Sequence, residues 1–251
     1  MIVNRRKLLG MSAAGAGGLL LGGCDALNGS PGFREALTGA ESLTMRTQRL
    51  LMGDALAREF AEAEMSQHFR INGNSMVADS DYRRDARTLF ANWSLQVDGL
   101  VARPLSLSLD ALRSMPQRTQ ITRHDCVEGW SAIGKWQGPQ LGAVLALAGL
   151  LPSARYVVFH CADRFGDTPY YESIDLIDAF HAQTILAWWM NGAPLTEGHG
   201  APLRLRVERQ LGYKQAKFIM RIELRETLAG LYDGKGGYWE DHSGYQWYAG
   251  I

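Results

Sequence analysis

Gly198-His199-Gly200-Ala201-Pro202-Leu203-Arg204-Leu205-Arg206-Val207, continued by Leu211-Gly212-Tyr213-Lys214-Gln215-Ala216-Lys217, is the most telling stretch of this 251-residue sequence. Glycines and a proline shape a loop that runs into an alternating strand. Arg204, Arg206, Arg209, Lys214 and Lys217 place five cations within fourteen residues. Such a density suits an anionic cofactor or a phosphate group. The competing reading is a solvated strand face of alternating charge, but Gly212-Tyr213-Lys214 interrupts any clean alternation.

A second cluster lies upstream, in His124-Asp125-Cys126-Val127-Glu128-Gly129-Trp130. It follows an expected strand at 119–123, so Cys126 sits on a loop delivered by a rigid element, where functional residues concentrate. As a thiolate, Cys126 is a nucleophile or a soft metal ligand; the alternative is a buried cysteine acting as a small hydrophobe.

Together the two clusters resemble the sulfite oxidase family of molybdenum enzymes. The single cysteine is Cys126, the His-Gly-x-Pro-x-Arg loop is His199 to Arg204, and the Gly-x-x-x-x-Lys segment is Gly212 to Lys217. Three further segments join them: His68-Phe69-Arg70-Ile71-Asn72-Gly73, Trp136-Gln137-Gly138, and the strand from Tyr156 to Asp163. The resemblance runs from about residue 67 to the last residue. It implies an α+β fold, mixed and β-rich, of the sulfite oxidase molybdopterin-binding type in a single domain, holding a molybdenum–molybdopterin cofactor (Mo-MPT). By that resemblance Cys126 is the metal ligand and, with Trp136, catalytic. The residues implied to bind the cofactor are His68, Phe69, Arg70, Asn72, Cys161, His199, Arg204, Gly212, Tyr213, Lys214, Gln215, Ala216 and Lys217. Cys161 ends an apolar strand and reads as core or as support near the cofactor rather than as a ligand. A soft thiolate is a suitable permanent ligand for a redox-cycling metal, and Arg204 and Lys217 would neutralise the cofactor phosphate.

The departures from the family bear on substrate. Sulfite oxidases place arginines shortly after the cysteine; here the stretch is Val127-Glu128-Gly129-Trp130-Ser131-Ala132. A carboxylate there repels a dianion, which favours a sulfoxide or N-oxide over sulfite as the small-molecule substrate. About 26 residues follow Arg225, too few for the family's immunoglobulin-like dimerisation domain, so a monomer is expected. No Cys-x-x-Cys-His haem motif is present, so electrons are expected to pass to or from a separate b-type or c-type cytochrome. Two other classes remain open at this stage: a cysteine hydrolase using Cys126 with a histidine, and a non-catalytic protein binding an anion or a partner on the same fold.

The amino terminus reads as an address. Asn4-Arg5-Arg6-Lys7-Leu8-Leu9 precedes an uncharged Gly, Ala and Leu-rich run to Gly23 that is short for a membrane span. Paired arginines there resemble a twin-arginine export signal, used for proteins already folded around a cofactor. Leu21-Gly22-Gly23-Cys24 resembles a lipobox, so residues 1–24 are read as an export signal with Cys24 a candidate lipid anchor, which gives a periplasmic location, with anchoring at the inner membrane if Cys24 is lipidated. Without residues 1–23 the formal charge changes from zero to −3, because 23 basic residues face 26 acidic ones. That balance argues against a nucleic-acid partner. Residues 25–45 read as a flexible tether and 46–251 as the catalytic domain. Within the domain the spacing predicts a helix over 47–65, strands over 93–99, 155–161, 183–190, 203–207 and 217–224, and helices over 108–112 and 141–150. The aromatic tail from Gly230 to Ile251 reads as the rim of a substrate funnel or a partner surface, or as a segment packed back over the core.

Overall fold

The computed structural model describes residues 30–251; the Arg5-Arg6 pair and Cys24 lie outside them. The chain divides after Gly53 into two compact units. The described part of the first is one helix, α1 (Pro31–Met52), with Pro31 in its first turn and Gly53 (φ +47°) ending it. Residues 31–45 are therefore helical where a tether was expected, and the helix predicted over 47–65 stops at Met52. Phe33, Leu37, Ala40, Thr44 and Leu51 already carry the helical spacing upstream. Small residues between them lower the mean hydropathy and hide it. Leu56 and Phe60, taken for its continuation, belong to extended chain, and the Phe60 N–H donates to the Ile121 carbonyl (2.9 Å).

The second unit is built on two main sheets. In the first, strands β1 (Ser94–Gly99), β2 (Leu105–Ser108), β5 (Tyr156–Phe165), β6 (Thr168–Asp175) and β11 (Ile219–Arg225) take the order β2-β1-β11-β5-β6. Only the β1–β11 pair is parallel; the others are antiparallel. In the second, β3 (Gln117–Asp125), β4 (Ser131–Pro139), β8 (Trp189–Met190) and β9 (Ala193–Pro194) run in that order, and β7 (Ile185–Ala187) pairs separately with β10 (Arg204–Arg206). The expected strand over 183–190 is thus two strands in different sheets. Its Trp188 N–H turns to the Gln137 carbonyl (3.1 Å), and Asn191-Gly192, both at positive φ, make the tight turn into β9.

Five helices complete the unit: α2 (Ser80–Arg87), α3 (Leu109–Ser114), α4 (Leu141–Ala148), α5 (Leu176–Ala179) and α6 (Tyr238–Ser243). Ser108 caps α3 as its position predicts, its hydroxyl accepting from the Ala111 N–H. The main core sets Leu95 and Val97 of β1, Val157 and Phe159 of β5, and Ile222 and Leu224 of β11 against Leu141, Val144 and Leu145 of α4. Leu203 and Leu205 reach into the same core. The cation-rich loop is therefore bolted to the scaffold on its apolar side, and its arginines alternate toward the other.

Candidate active site

Cys126 sits at the tip of the β3–β4 hairpin. Its N–H donates to the Trp130 carbonyl (2.9 Å), and its own carbonyl accepts from Gly129 (3.0 Å), where φ is +84°. Both Cys126 and Cys161 are free thiols and do not bridge. Burial and the nearby Glu128 carboxylate push the Cys126 thiol up, against backbone N–H groups at 127 and 128 that favour the thiolate. A bound metal cation reverses that balance and deprotonates the ligating sulfur outright. Cys126 opens onto a cleft lined also by Asn72, Asn74, Glu128, Asp163, Gln215 and Lys217. Its walls are aromatic: Phe165, Tyr170, Tyr213, Trp239 and Tyr245.

Behind the cleft, Phe69 is the centre of a ring cluster. It lies edge-on to Trp136 (5.2 Å between centroids) and His199 (5.9 Å), and 5.7 Å from His124. Arg204 and Arg206 lie over the Trp136 ring at 4.9 and 4.3 Å. Of the five cations in the loop, three are neutralised inside the protein. Arg206 pairs with Glu208 (2.6 Å), Arg209 with Asp178 (3.0 Å), and Lys214 with both Glu172 (2.6 Å) and Glu240. Lys214 is thereby withdrawn from the cofactor role expected of it, because a fully buried ammonium between two carboxylates is already satisfied. Arg204 and Lys217 are the two that pair with no carboxylate among the described residues.

Arg204 is completely buried. One of its nitrogens donates to the His199 carbonyl (3.1 Å), while Nε and Nη2 have no partner. Burial and the adjacent Arg206 lower its pKa to about 9. The Trp136 Nε1 and His199 Nδ1 are likewise buried and unsatisfied. Isolated buried donors are costly, and an unpaired buried cation costs several kcal/mol. A phosphate-bearing group between these donors relieves the cost, so the residues present fit a molybdopterin, with Cys126 to hold its metal, Arg204 and His199 to meet its phosphate, and Asn72 and Gln215, each with an unpartnered buried oxygen, to accept from its ring.

Two glycines allow the close approach. A Cβ on Gly200 (φ +101°) would come within 2.9 Å of Lys217 Cβ and 3.3 Å of Arg204 Cβ. One on Gly212 would lie 2.5 Å from His124 Nε2. Lys217 donates to the Gly198 carbonyl (2.9 Å) and to that of Asn74, tying the 72–74 segment to the loop. Its pKa falls to about 7, chiefly through burial and then Arg204.

The remaining expected residues divide. Phe69, Asn72, Tyr213 and Gln215 are brought to the site; Gly212 makes room for it; Ala216 is core. His68 and Arg70 are exposed on either side of Phe69, with the Arg70 guanidinium 6.0 Å from the Trp130 ring. Trp136 lies under the arginines rather than in the cleft with Cys126, so it supports the site instead of touching substrate. Cys161 packs between the main core and the Tyr170 cluster. Burial pushes its thiol well up, which fits support rather than ligation.

His124 was missed as a site residue, although it lies two positions from the cysteine. It is fully buried, its Nδ1 accepts from Arg206 (3.0 Å), and burial with Arg206 and Arg204 keeps it neutral, well below the usual histidine range. Strand alternation from Cys126 was the signal that could have found it. Asp163 and Tyr170 were missed as cleft residues because they come from the bulged end of β5 and from β6, whereas Trp239 and Tyr245 belong to the aromatic tail whose cleft position one reading had anticipated.

The comparisons with known proteins agree with this geometry. The sequence matches the family described as oxidoreductase molybdopterin binding domain over residues 83–231. A putative protein-methionine-sulfoxide reductase subunit, YedZ1 of Azospira oryzae, is 37% identical over 98% of this chain and 87% of its own length. The protein-methionine-sulfoxide reductase catalytic subunit MsrP of Xanthomonas campestris pv. campestris is 32% identical over 90% and 71%. Among solved structures, the sulfane dehydrogenase SoxCD from Paracoccus pantotrophus superposes with a TM-score of 0.53 over 76% of this chain and 48% of its own, at 19% identity, a likeness of fold. With the family match spanning residues 83–231 and a relative 37% identical over 98% of this chain, the chain belongs to the molybdopterin-binding oxidoreductases of the sulfite oxidase family.

Proposed function

We propose that this molybdopterin oxidoreductase reduces sulfoxides, with methionine sulfoxide side chains as the substrate class, and draws electrons from a separate b-type or c-type cytochrome. It acts in the periplasm, exported by the Arg5-Arg6 signal, with Cys24 as a candidate lipid anchor at the inner membrane. The observation that carries the substrate reading is the lining of the Cys126 cleft: five aromatic side chains, Glu128, and no arginine. Aromatic edges make favourable contacts with the sulfur of a thioether, whereas a sulfite dianion would meet the Glu128 carboxylate. The names of the two relatives point the same way.

The reaction takes up two electrons and two protons, breaks the S–O bond, and releases a thioether and water. The cofactor, when bound, supplies the two-electron oxo-transfer chemistry. The chain's own residues do the rest. Cys126 holds the metal as a thiolate, while Arg204 and Lys217 balance phosphate charge. The aromatic walls exclude water and orient the sulfoxide. The Trp130 Nε1–H donates to Glu128 (2.8 Å) and fixes that carboxylate at the mouth.

Assays of the loaded protein with a reduced dye and a methionine sulfoxide peptide should show turnover, with no sulfite oxidation against an electron-accepting dye. Sulfite turnover at a comparable rate would overturn the substrate reading. Cys126→Ser should lose its molybdenum and at least 100-fold in activity, as expected when the ligand and its metal are removed. Metal-free protein with undiminished activity would instead favour a cysteine hydrolase.

A further inference from the structure

We propose that Asp163 is a catalytic acid of this enzyme, giving a proton to the substrate oxygen as that oxygen departs in water. The inference rests on the sulfoxide-reducing reading above. Its first support is geometric. Asp163 lies on β5 within the stretch where the ladder to β6 slips, between His160 and Arg164. Bulges of this kind re-aim a side chain out of the sheet pattern. Here the carboxyl group ends in the cleft that Cys126 also lines, with only 4% of the residue exposed.

The second support is its bonding. Oδ2 accepts from Asn74 Nδ2 (2.9 Å), and the same amide nitrogen donates to the Arg164 carbonyl (3.1 Å), so the carboxyl plane is held. Oδ1 is buried and has no partner. A carboxyl group with one oxygen pinned and the other unpartnered, on a residue that lines the cleft, is placed to deliver a proton.

The surroundings act in the same direction. Lys217 is the cation that favours the charged form, and burial outweighs it, raising the carboxyl to about 6. Cys161 on the same strand, Tyr170 on β6 and Tyr82 on α2 are all held in their neutral forms partly by Asp163. The other titratable groups of the cleft suit the role less. Burial pushes the Tyr170 and Tyr213 phenols up, out of reach of neutral pH. Lys217 is committed to two backbone carbonyls, and Glu128 is exposed at the mouth.

The step balances. The bound cofactor would supply the two electrons that reduce the sulfoxide to the thioether as the S–O bond breaks; on the protein's side the Asp163 O–H bond breaks and an O–H bond forms on the oxygen leaving sulfur. Solvent at the cleft mouth supplies the second proton and then reprotonates Asp163.

The test uses full-length loaded protein and the variants Asp163→Asn and Asp163→Glu. Asn keeps the acceptor for Asn74 but carries no acidic proton. Asp163→Asn should load molybdenum and pterin as the wild type does and keep its KM within about twofold, while kcat falls by about 100-fold or more. The wild-type decline of kcat above the Asp163 pKa should disappear in Asn and return in Glu with part of the rate. In the cofactor-free protein, a protonated-carboxyl infrared band titrating near pH 6 should be absent from Asp163→Asn. An active wild type with an Asn variant of unchanged kcat and pH profile would overturn the proposal alone. So would an Asn variant that fails to load cofactor, which would assign the carboxylate to cofactor binding. A wild type that turns over no sulfoxide would overturn this proposal together with the reading beneath it.

Discussion

Arg204, a buried cation, and His199, a neutral imidazole with an unpartnered ring nitrogen, each leave a measurable trace in the cofactor-free protein. Replacing Arg204 by Met removes a buried guanidinium that lacks a carboxylate. Apolar replacement of buried charge often stabilises by about 1–4 kcal/mol. The cofactor-free Arg204→Met variant should therefore melt several degrees above the cofactor-free wild type, while retaining little molybdenum. A thermal scan paired with metal analysis checks both halves. His199 is lowered from 6.5 to about 4 by burial, then by Arg204 and Lys217. Its unfolded form binds a proton that the folded form refuses, so stability is lost as pH falls from 6.5 toward 4. Across that window His199→Gln should lose less than the wild type, by on the order of 1–2 kcal/mol after solvent screening. His124 contributes a loss of the same sign and Asp163 one of the opposite sign, so the comparison with the variant isolates His199. Equal acid sensitivity in the two proteins would show that His199 is not desolvated in solution.

At the scale of elements, the 198–218 loop and the tail are one construction. Lys214 reaches Glu172 on β6 and Glu240 on α6. Backbone bonds from Leu211 to Ala249 (2.9 Å) and from Ile251 to Arg209 (3.1 Å) continue the attachment. The aromatic tail packs over the core and also lines the cleft: Trp247 donates to Ser173 (2.9 Å) and packs on Tyr156, while Trp239 and Tyr245 line the cleft. Lys214→Met should leave two buried carboxyl groups without their cation. That costs about 3–5 kcal/mol and frees the tail, which limited proteolysis of the variant should detect as new cleavage after residue 230. The sequence made the strands and their loops legible because apolar alternation and Gly or Pro punctuation are local. It did not show the ion pairs: Glu172 and Glu240 lie 42 and 26 residues from Lys214, and only the fold makes them neighbours. Hence the basic loop looked like five free cations when two were available. Residues 31–45 failed for a local reason, since Thr, Gly and Ser among the apolar positions gave a helix the composition of a linker.

On the scale of the whole molecule, the fold class and the cofactor were legible because three short motifs, far apart in the chain, agree on one chemistry. Cys126, His199 to Arg204 and Gly212 to Lys217 meet only if the ends of β3 and β10 and the turn before β11 come together, and they do: Arg206 bonds His124 (3.0 Å) and Gly212 lies against the same ring. His124, Asp163 and the aromatic walls carry no motif; they are site residues by position alone. That position also bears on the non-catalytic reading of the fold. A buried guanidinium beside Trp136 and His199 nitrogens that bond to nothing among the described residues is a standing cost of the empty fold, and an anionic occupant is what turns that cost into binding.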